Sequence, residues 1–324
     1  MQSGPTPTSP ASPEVASSPR VRVRVPAKIN LALKVGPLGA DGYHPLGTVF
    51  HAVSLFDELE VRAAEQDSLV IKGEGAEALP VNDTNLVVRA AELLRQTYGR
   101  PDPVRMVLRK TIPVAGGMAG GSADGAAALL ALSMLWDLDT QPEDLHALAA
   151  QLGSDVPFAL VGGTAQGAGR GTELVPMIGR GSYHWVLALA HHGLSTPEVF
   201  RRYDEMVAAG ELEPSTELPA GLLNALTVGD AAEVGAHLVN DLEPAALSLR
   251  PELARTMAAG RRAGVLGAVL SGSGPTCAFL AGSEEAAMDV ATALAAHPDV
   301  RAVRRAKGPV PGARPVNSPR LVET

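Results

Sequence analysis

Four short segments of this chain carry residue types whose spacing could do chemistry. The longest is Pro113-Val114-Ala115-Gly116-Gly117-Met118-Ala119-Gly120-Gly121-Ser122-Ala123, set between a strand pattern and a long Ala/Leu-rich helix pattern. Glycines remove Cβ atoms and admit positive φ, so successive backbone N–H groups of such a loop can converge on one point. The helix that follows adds unpaired N–H groups and the positive end of its dipole, a setting suited to phosphate. A glycine cluster by itself also describes an ordinary surface loop, so both readings stay open. The loop is not a Walker A sequence, because no Lys-Ser/Thr follows its last glycine, and it lacks the Gly-x-Gly-x-x-Gly fingerprint.

The second segment is Pro26-Ala27-Lys28-Ile29-Asn30-Leu31. On a strand Lys28 and Asn30 share one face, although a lone strand lysine is ordinarily a solvated one. In the third, Gly153-Ser154-Asp155-Val156-Pro157-Phe158, Asp155 precedes a proline that would open a helix. By position alone it reads as an N-cap. The fourth, Ser271-Gly272-Ser273-Gly274-Pro275, joins two strand patterns and reads on its own as a tight hairpin.

The elements that must position these segments are a mixture of strands and helices. Val21, Val23 and Val25 alternate with arginines, and Ile29, Leu31 and Leu33 alternate again, which predicts two strands or one bent strand. Further strands are expected within 59–72, at 104–108, 183–190, 265–270 and 276–280. Helices are expected from a cap at Asn82 or Asp83 to Gly99, from Ser122 to Leu135, and over 142–152 behind a Thr140/Glu143 capping box. Four more are expected near 197–209, 230–239, 246–262 and 283–296. The class is α+β in two lobes, with a seam near Gly179 to Ser182. Residues 1–19 and 308–324 are rich in proline and lack an apolar period, so they read as loose tails around lobes at 20–180 and 181–307.

Composition bounds the function. The 324 residues are 46% hydrophobic, with Lys+Arg 27 against Asp+Glu 35 and a net charge of −8. That balance argues against a nucleic-acid partner, which would call for a basic face. The single cysteine excludes an internal disulfide and fits a reducing, cytoplasmic setting. No run of about 18 apolar residues predicts a membrane span.

Taken together and in order, Pro26-to-Asn30, the Pro113-to-Ser122 loop and the Ser271-to-Pro275 turn resemble the three motifs of the GHMP kinase superfamily. The resemblance covers roughly 21–307. Asp41-Gly42-Tyr43-His44, Asn85-Leu86-Val87-Val88-Arg89 and Gly153-to-Phe158 resemble one branch of it. Members of that branch phosphorylate the 2-hydroxyl of a cytidine-diphosphate-linked methylerythritol in the non-mevalonate route to isoprenoids. The resemblance implies a two-lobed fold with the site between the lobes, and a monomer or homodimer acting on a small molecule with ATP. It makes Lys28 and Asp155 the catalytic pair. Tyr43 and His44 become cytosine contacts with Phe200 as a second wall, Asn30, Gly272 and Ser273 acceptor contacts, and Asn85 and Lys110 neighbours of the ATP base. Mg²⁺ is expected on the ATP phosphates, with Ser122 as its one candidate protein ligand. The superfamily's loop carries glycine and serine where this chain has Ala119 and Ala123. The rivals are homoserine or mevalonate phosphorylation, separated by a panel of acceptors, and a non-catalytic ligand sensor, separated by a phosphotransfer assay.

Overall fold

The computed structural model describes residues 19–316. The loose tails expected before Pro19 and after Val316 therefore lie outside the described residues. The alternating valines and the Ile29-to-Leu33 run form one strand, β1 (Arg20–Val35), antiparallel to β2 (Leu46–Ala63). It bends through two register shifts, at Pro26/Ala27 and between Asn30 and Ala32, which bracket Lys28. Such bulges re-aim side chains while keeping the ladder. The chain continues through β3 (Ser68–Gly73), α1 (Leu86–Tyr98), β4 (Val104–Lys110), α2 (Gly120–Leu135), α3 (Pro142–Leu152) and α4 (Val156–Val161) to a hairpin of β5 (Thr164–Ala168) and β6 (Glu173–Pro176). The second half runs β7 (Tyr183–Leu189), α5 (Thr196–Ala208), α6 (Ala220–Val228), α7 (Ala231–Ala236), β8 (Val239–Asn240), α8 (Glu243–Leu249) and α9 (Pro251–Arg262). It then closes with β9 (Gly267–Leu270), β10 (Cys277–Ala281), α10 (Glu284–Ala295), β11 (Ala302–Gly308) and β12 (Arg314–Pro315).

Two sheets result. The first is ordered β12-β1-β2-β4-β3, with β5 on β2, β6 on β5 and β8 on β1; the second is ordered β11-β7-β10-β9. Between the first sheet and the helices α1, α3 and α4, α2 is buried along most of its length, with Ala126, Ala127, Ala128, Leu129, Ala131 and Leu132 fully enclosed. A helix apolar all round belongs inside a core. His51, on β2, is also buried at the junction of the two sheets. Burial pushes its pKa down to about 3, so it stays neutral with Nδ1 2.8 Å from Thr164 Oγ1.

Several expectations shift. The loose tail expected from 308 is instead bonded to the first sheet as far as Val316: Val310 N–H donates to Ala52 O at 3.1 Å and Val316 N–H to Arg22 O at 2.8 Å. Pro315 sits on an edge strand, where a missing N–H breaks no ladder. The helix expected over 246–262 is two, because Pro251 excludes Arg250 from the helical region and leaves it at φ −136°, ψ 78°. Asn85, not Asn82 or Asp83, caps α1, its Oδ1 accepting from Val87 N–H at 2.9 Å. The cap of α3 lies one residue later than Thr140/Glu143, with Gln141 N–H donating to the Asp144 carboxylate. The long central helix starts at Gly120 rather than Ser122, because the glycines themselves adopt its first turn. Among the described residues no helix is long and apolar enough to cross a membrane.

Candidate active site

All four chemistry-bearing segments meet at a cavity of about 460 Å³ between the sheets. The first sheet's side supplies Lys28, Asn30, the 113–121 loop except Met118, Asp155 and Arg170; the second supplies Thr196, Phe200, Gly272 and Ser273.

The two glycine loops interlock. Gly117 lies at φ 72°, and a Cβ there would stand 2.1 Å from Ser271 O, while Ser271 Oγ donates to Gly117 O at 3.0 Å. Lys28 N–H donates to Met118 O at 3.3 Å, so β1 is tied to the same loop. Asn240, which the sequence reading passed over, holds the 271–275 turn by donating from Nδ2 to Leu270 O and Gly272 O, both at 2.7 Å. That turn spans six residues between β9 and β10, wider than a tight hairpin.

At the start of α2 the N–H groups of Gly120, Gly121 and Ser122 have no intrahelical partner. Ala119 caps without a side-chain bond, and no acidic residue occupies the first turn. The site is left open for an anion. Ala115 and Ala119 hold φ of 52° and 57°, the region glycine prefers. Alanine in place of the superfamily's glycine at 119 therefore keeps the backbone shape at a strain of about 1–2 kcal/mol. Ala119→Gly should relieve it, less the added freedom of the unfolded chain. The expected result is a melting temperature about 1–3 °C higher with ATP KM unchanged; a lower melting temperature would mean the Ala119 methyl packs usefully.

Lys28 Nζ donates to Asn30 Oδ1 at 2.8 Å, Asn30 Nδ2 to Thr48 Oγ1 at 2.8 Å, and Thr48 Oγ1 to Ala32 O at 2.7 Å. This chain of bonds fixes a lysine whose side chain is 9% exposed. Asp155 stands at the N-cap position of α4, yet its side chain makes no capping bond. Its Oδ2 lies 3.5 Å from Lys28 Nζ instead. The positional reading of Asp155 as a side-chain cap is thereby corrected.

Other expected site residues are placed less simply. Lys110 is buried, its ammonium clasped by Asp57 and by Asp124 Oδ2 at 2.6 Å, and Asp57 also accepts Ile112 N–H at 2.9 Å. Burial opposes the Lys110 charge, but the two carboxylates outweigh it and raise its pKa. The ammonium thus serves as a brace beneath the loop: a Cβ on Gly120 would lie 3.3 Å from it. Burial lifts the Asp124 carboxyl well above the usual range despite Lys110, and Asp124 Oδ1 has no partner among the described residues. A lone acidic residue inside an Ala/Leu helix was the sequence signal for Asp124. Asn85 does not line the cavity; besides capping α1, its Nδ2 donates to Pro80 O at 2.8 Å. Met118 and Ala123 are buried in the core instead, and Ser122, in the first turn of α2, also stands outside the lining.

At the other end of the cavity Phe200 is a wall, while Tyr43 and His44 stand behind the lining. His44 stacks on Phe200 with centroids 5.4 Å apart. Both its ring nitrogens have partners, Nδ1 with Gly36 O at 2.9 Å and Nε2 with Asp204 Oδ1 at 3.2 Å. Tyr43 is 55% exposed and carries Arg170 over its ring.

The description "GHMP kinases N terminal domain" matches residues 85–163, and "GHMP kinases C terminal" matches 222–300. The 4-diphosphocytidyl-2-C-methyl-D-erythritol kinase of Mycolicibacterium smegmatis is 57% identical over 300 residues, 92% of this chain and 93% of that protein. A crystal structure of a 4-(cytidine 5'-diphospho)-2C-methyl-D-erythritol kinase superposes with a TM-score of 0.73 at 35% identity, covering 88% of this chain and 98% of the other. The homoserine kinase of Cytophaga hutchinsonii shares the fold alone, with a TM-score of 0.70 at 18% identity over 94% of this chain and all of that one. With both glycine loops, the strand lysine and the Asp155 carboxylate gathered at one cleft, and with that identity along nearly its whole length, the chain belongs to the GHMP kinases, within the 4-diphosphocytidyl-2-C-methyl-D-erythritol kinase family.

Proposed function

We infer that this chain transfers the γ-phosphoryl group of ATP to the 2-hydroxyl of 4-diphosphocytidyl-2-C-methyl-D-erythritol. The observation that carries the reading is the Asp155 carboxylate, uncommitted to its helix and facing Lys28 beside the start of α2. Phosphoryl transfer asks a protein chiefly for positioning and charge stabilisation. The N–H groups of Gly120, Gly121 and Ser122 take the donor's phosphates. Lys28, held by Asn30, draws electron density from the acceptor oxygen. Asp155 orients the hydroxyl and takes its proton as the oxygen–phosphorus bond forms and ADP leaves. The acceptor is a tertiary alcohol of high pKa, so the proton moves late.

Among the described residues no group of three or more His, Cys, Asp or Glu is gathered for a metal. That suits Mg²⁺, which keeps its waters and rides on nucleotide phosphates with one or two protein oxygens. The Ser122 hydroxyl, the expected protein ligand, stands outside the lining, so the ion would be carried by the nucleotide phosphates and its own waters, and it would neutralise charge on the transferring phosphoryl. Labelled-phosphate transfer tests the reading. Product is expected with the cytidine-linked acceptor, and none with homoserine or mevalonate; transfer to either of those in preference would overturn it.

The cytosine is expected at the Phe200 end, with Tyr43 and His44 shaping it. Base–aromatic stacking is worth about 1–3 kcal/mol. Tyr43→Ala should therefore raise acceptor KM about tenfold or more while ATP KM holds. Equal use of uridine- and cytidine-linked acceptors by the wild-type enzyme would remove this assignment.

A further inference from the structure

Three cationic residues line the cavity: Lys28, Lys110 and Arg170. The Lys28 ammonium is committed to Asn30 and Asp155, and that of Lys110 to Asp57 and Asp124. Their side chains are 9% and 2% exposed. Arg170 differs: its side chain is 52% exposed, and among the described residues it makes one ion pair, from Nη2 to Asp41 Oδ2 at 2.9 Å. A guanidinium carries five N–H donors in a planar fork, so most of this one's capacity is unspent.

Its placement is built rather than incidental. Arg170 sits at the tip of the β5–β6 hairpin between Gly169 and Gly171, both in the left-handed region at φ 64° and 89°. The tip is anchored where Leu46 N–H donates to Gly169 O at 2.7 Å. On one side the guanidinium lies over the Tyr43 ring, its Cζ 3.6 Å from the centroid. Asp41 orders both partners, because its other oxygen accepts Tyr43 N–H at 3.1 Å. On the other side the hairpin abuts Phe50: a Cβ on Gly171 would stand 3.3 Å from Phe50 Cζ, and that ring lies 5.4 Å from Lys28 Nζ. Arg170 thus stands between the base end of the cavity, at Tyr43, and the hydroxyl end, at Lys28. In an acceptor that joins cytidine to a polyol through a diphosphate, that interval is where the diphosphate falls. The lining needs charge there: apart from Arg170 it presents two cations, Lys28 and Lys110, against two carboxylates, Asp124 and Asp155.

We propose that Arg170, stacked on Tyr43 and steered by Asp41, binds the diphosphate of the acceptor. The proposal rests on the acceptor assigned above. It also gives the Asp41-to-His44 segment a second duty, that of carrying a cation supplied by a hairpin far along the chain. Arginine suits the task because two parallel N–H donors can meet two phosphate oxygens at once.

The test is calorimetric titration of wild type, Arg170→Gln and Arg170→Lys with CDP and with cytidine, together with steady-state kinetics. The hairpin tip is exposed, so melting temperatures should match. For Arg170→Gln, CDP binding is expected to weaken about 10–100-fold, as for a lost charge-assisted pair of hydrogen bonds. Cytidine binding should stay within about twofold. Arg170→Lys should fall between, keeping the charge without the fork. Acceptor KM should rise by a similar factor while ATP KM holds. Equal losses for CDP and cytidine would overturn the proposal by showing that Arg170 acts only through Tyr43, and so would unchanged CDP binding in Arg170→Gln. Failure of wild type itself to bind CDP would refute the acceptor assignment as well, which separates the two claims.

Discussion

Asp155→Asn should lower kcat by about 10²–10⁴-fold, the usual loss when a positioned proton acceptor is removed. Acceptor and ATP binding should change little, because the interaction strengthens only as the transition state is approached. The expectation separates chemistry from architecture. Asparagine caps a helix about as well as aspartate, so a residue serving only as the cap of α4 would tolerate the change. The Asp155 side chain makes no capping bond and lies 3.5 Å from the Lys28 ammonium. Steady-state kinetics beside a thermal melt decides the matter. Turnover within about threefold of wild type, in a variant of unchanged stability, would remove Asp155 from the mechanism.

Gly121→Val should weaken ATP binding by at least about 100-fold, equivalent to roughly 2.7 kcal/mol, while leaving the fold intact. A Cβ at Gly121 would meet no protein atom within 4 Å, and its φ is not in the left-handed region. The first added carbon therefore meets no steric obstacle from the rest of the fold. It projects into the space in front of the N–H groups of α2, where the proposed site places the phosphates. Gly117 would be a poor choice for the same purpose, since a Cβ there would strike the backbone of the 271–275 turn. Unchanged ATP affinity with a native circular dichroism spectrum would show that the donor binds elsewhere.

What the sequence made legible is what local rules govern. Alternation along 21–33 predicted a strand with Lys28 and Asn30 on one face, and both do converge, joined at 2.8 Å. The glycine loop before a long apolar helix left an anion site at a helix start and an ordinary surface loop both open, and the loop lines the cavity. What local rules do not reach is partnership across the chain. Asp155 looked like a cap because neighbours in sequence cannot reveal that Lys28 stands opposite. Lys110 looked available to a ligand because Asp57 and Asp124 lie 53 and 14 residues away. Arg170 gave no signal at all, since its meaning depends on Asp41, 129 residues distant. Tyr43 and His44, expected to touch the acceptor's base, stand behind the lining with His44 stacked on Phe200, a placement that depends on side-chain packing rather than on spacing.

The pairing of β12 with β1 has a consequence for how the protein is made. Val23 faces Pro315 and Arg24 faces Arg314, so the opening strand acquires part of its outer border from nearly the last described residues. Farther along the same border, Ala32 and Leu33 wait for Val239 and Asn240. On a ribosome adding about 5–20 residues each second, the first sheet emerges early but cannot be completed until Arg314 and Pro315 have been added. For that interval one margin of β1, beside the strand that carries Lys28, presents unpaired backbone groups, the kind of edge that invites other chains to pair. Chains stalled before residue 310 should therefore associate with one another or with chaperones more readily than chains that extend beyond residue 316.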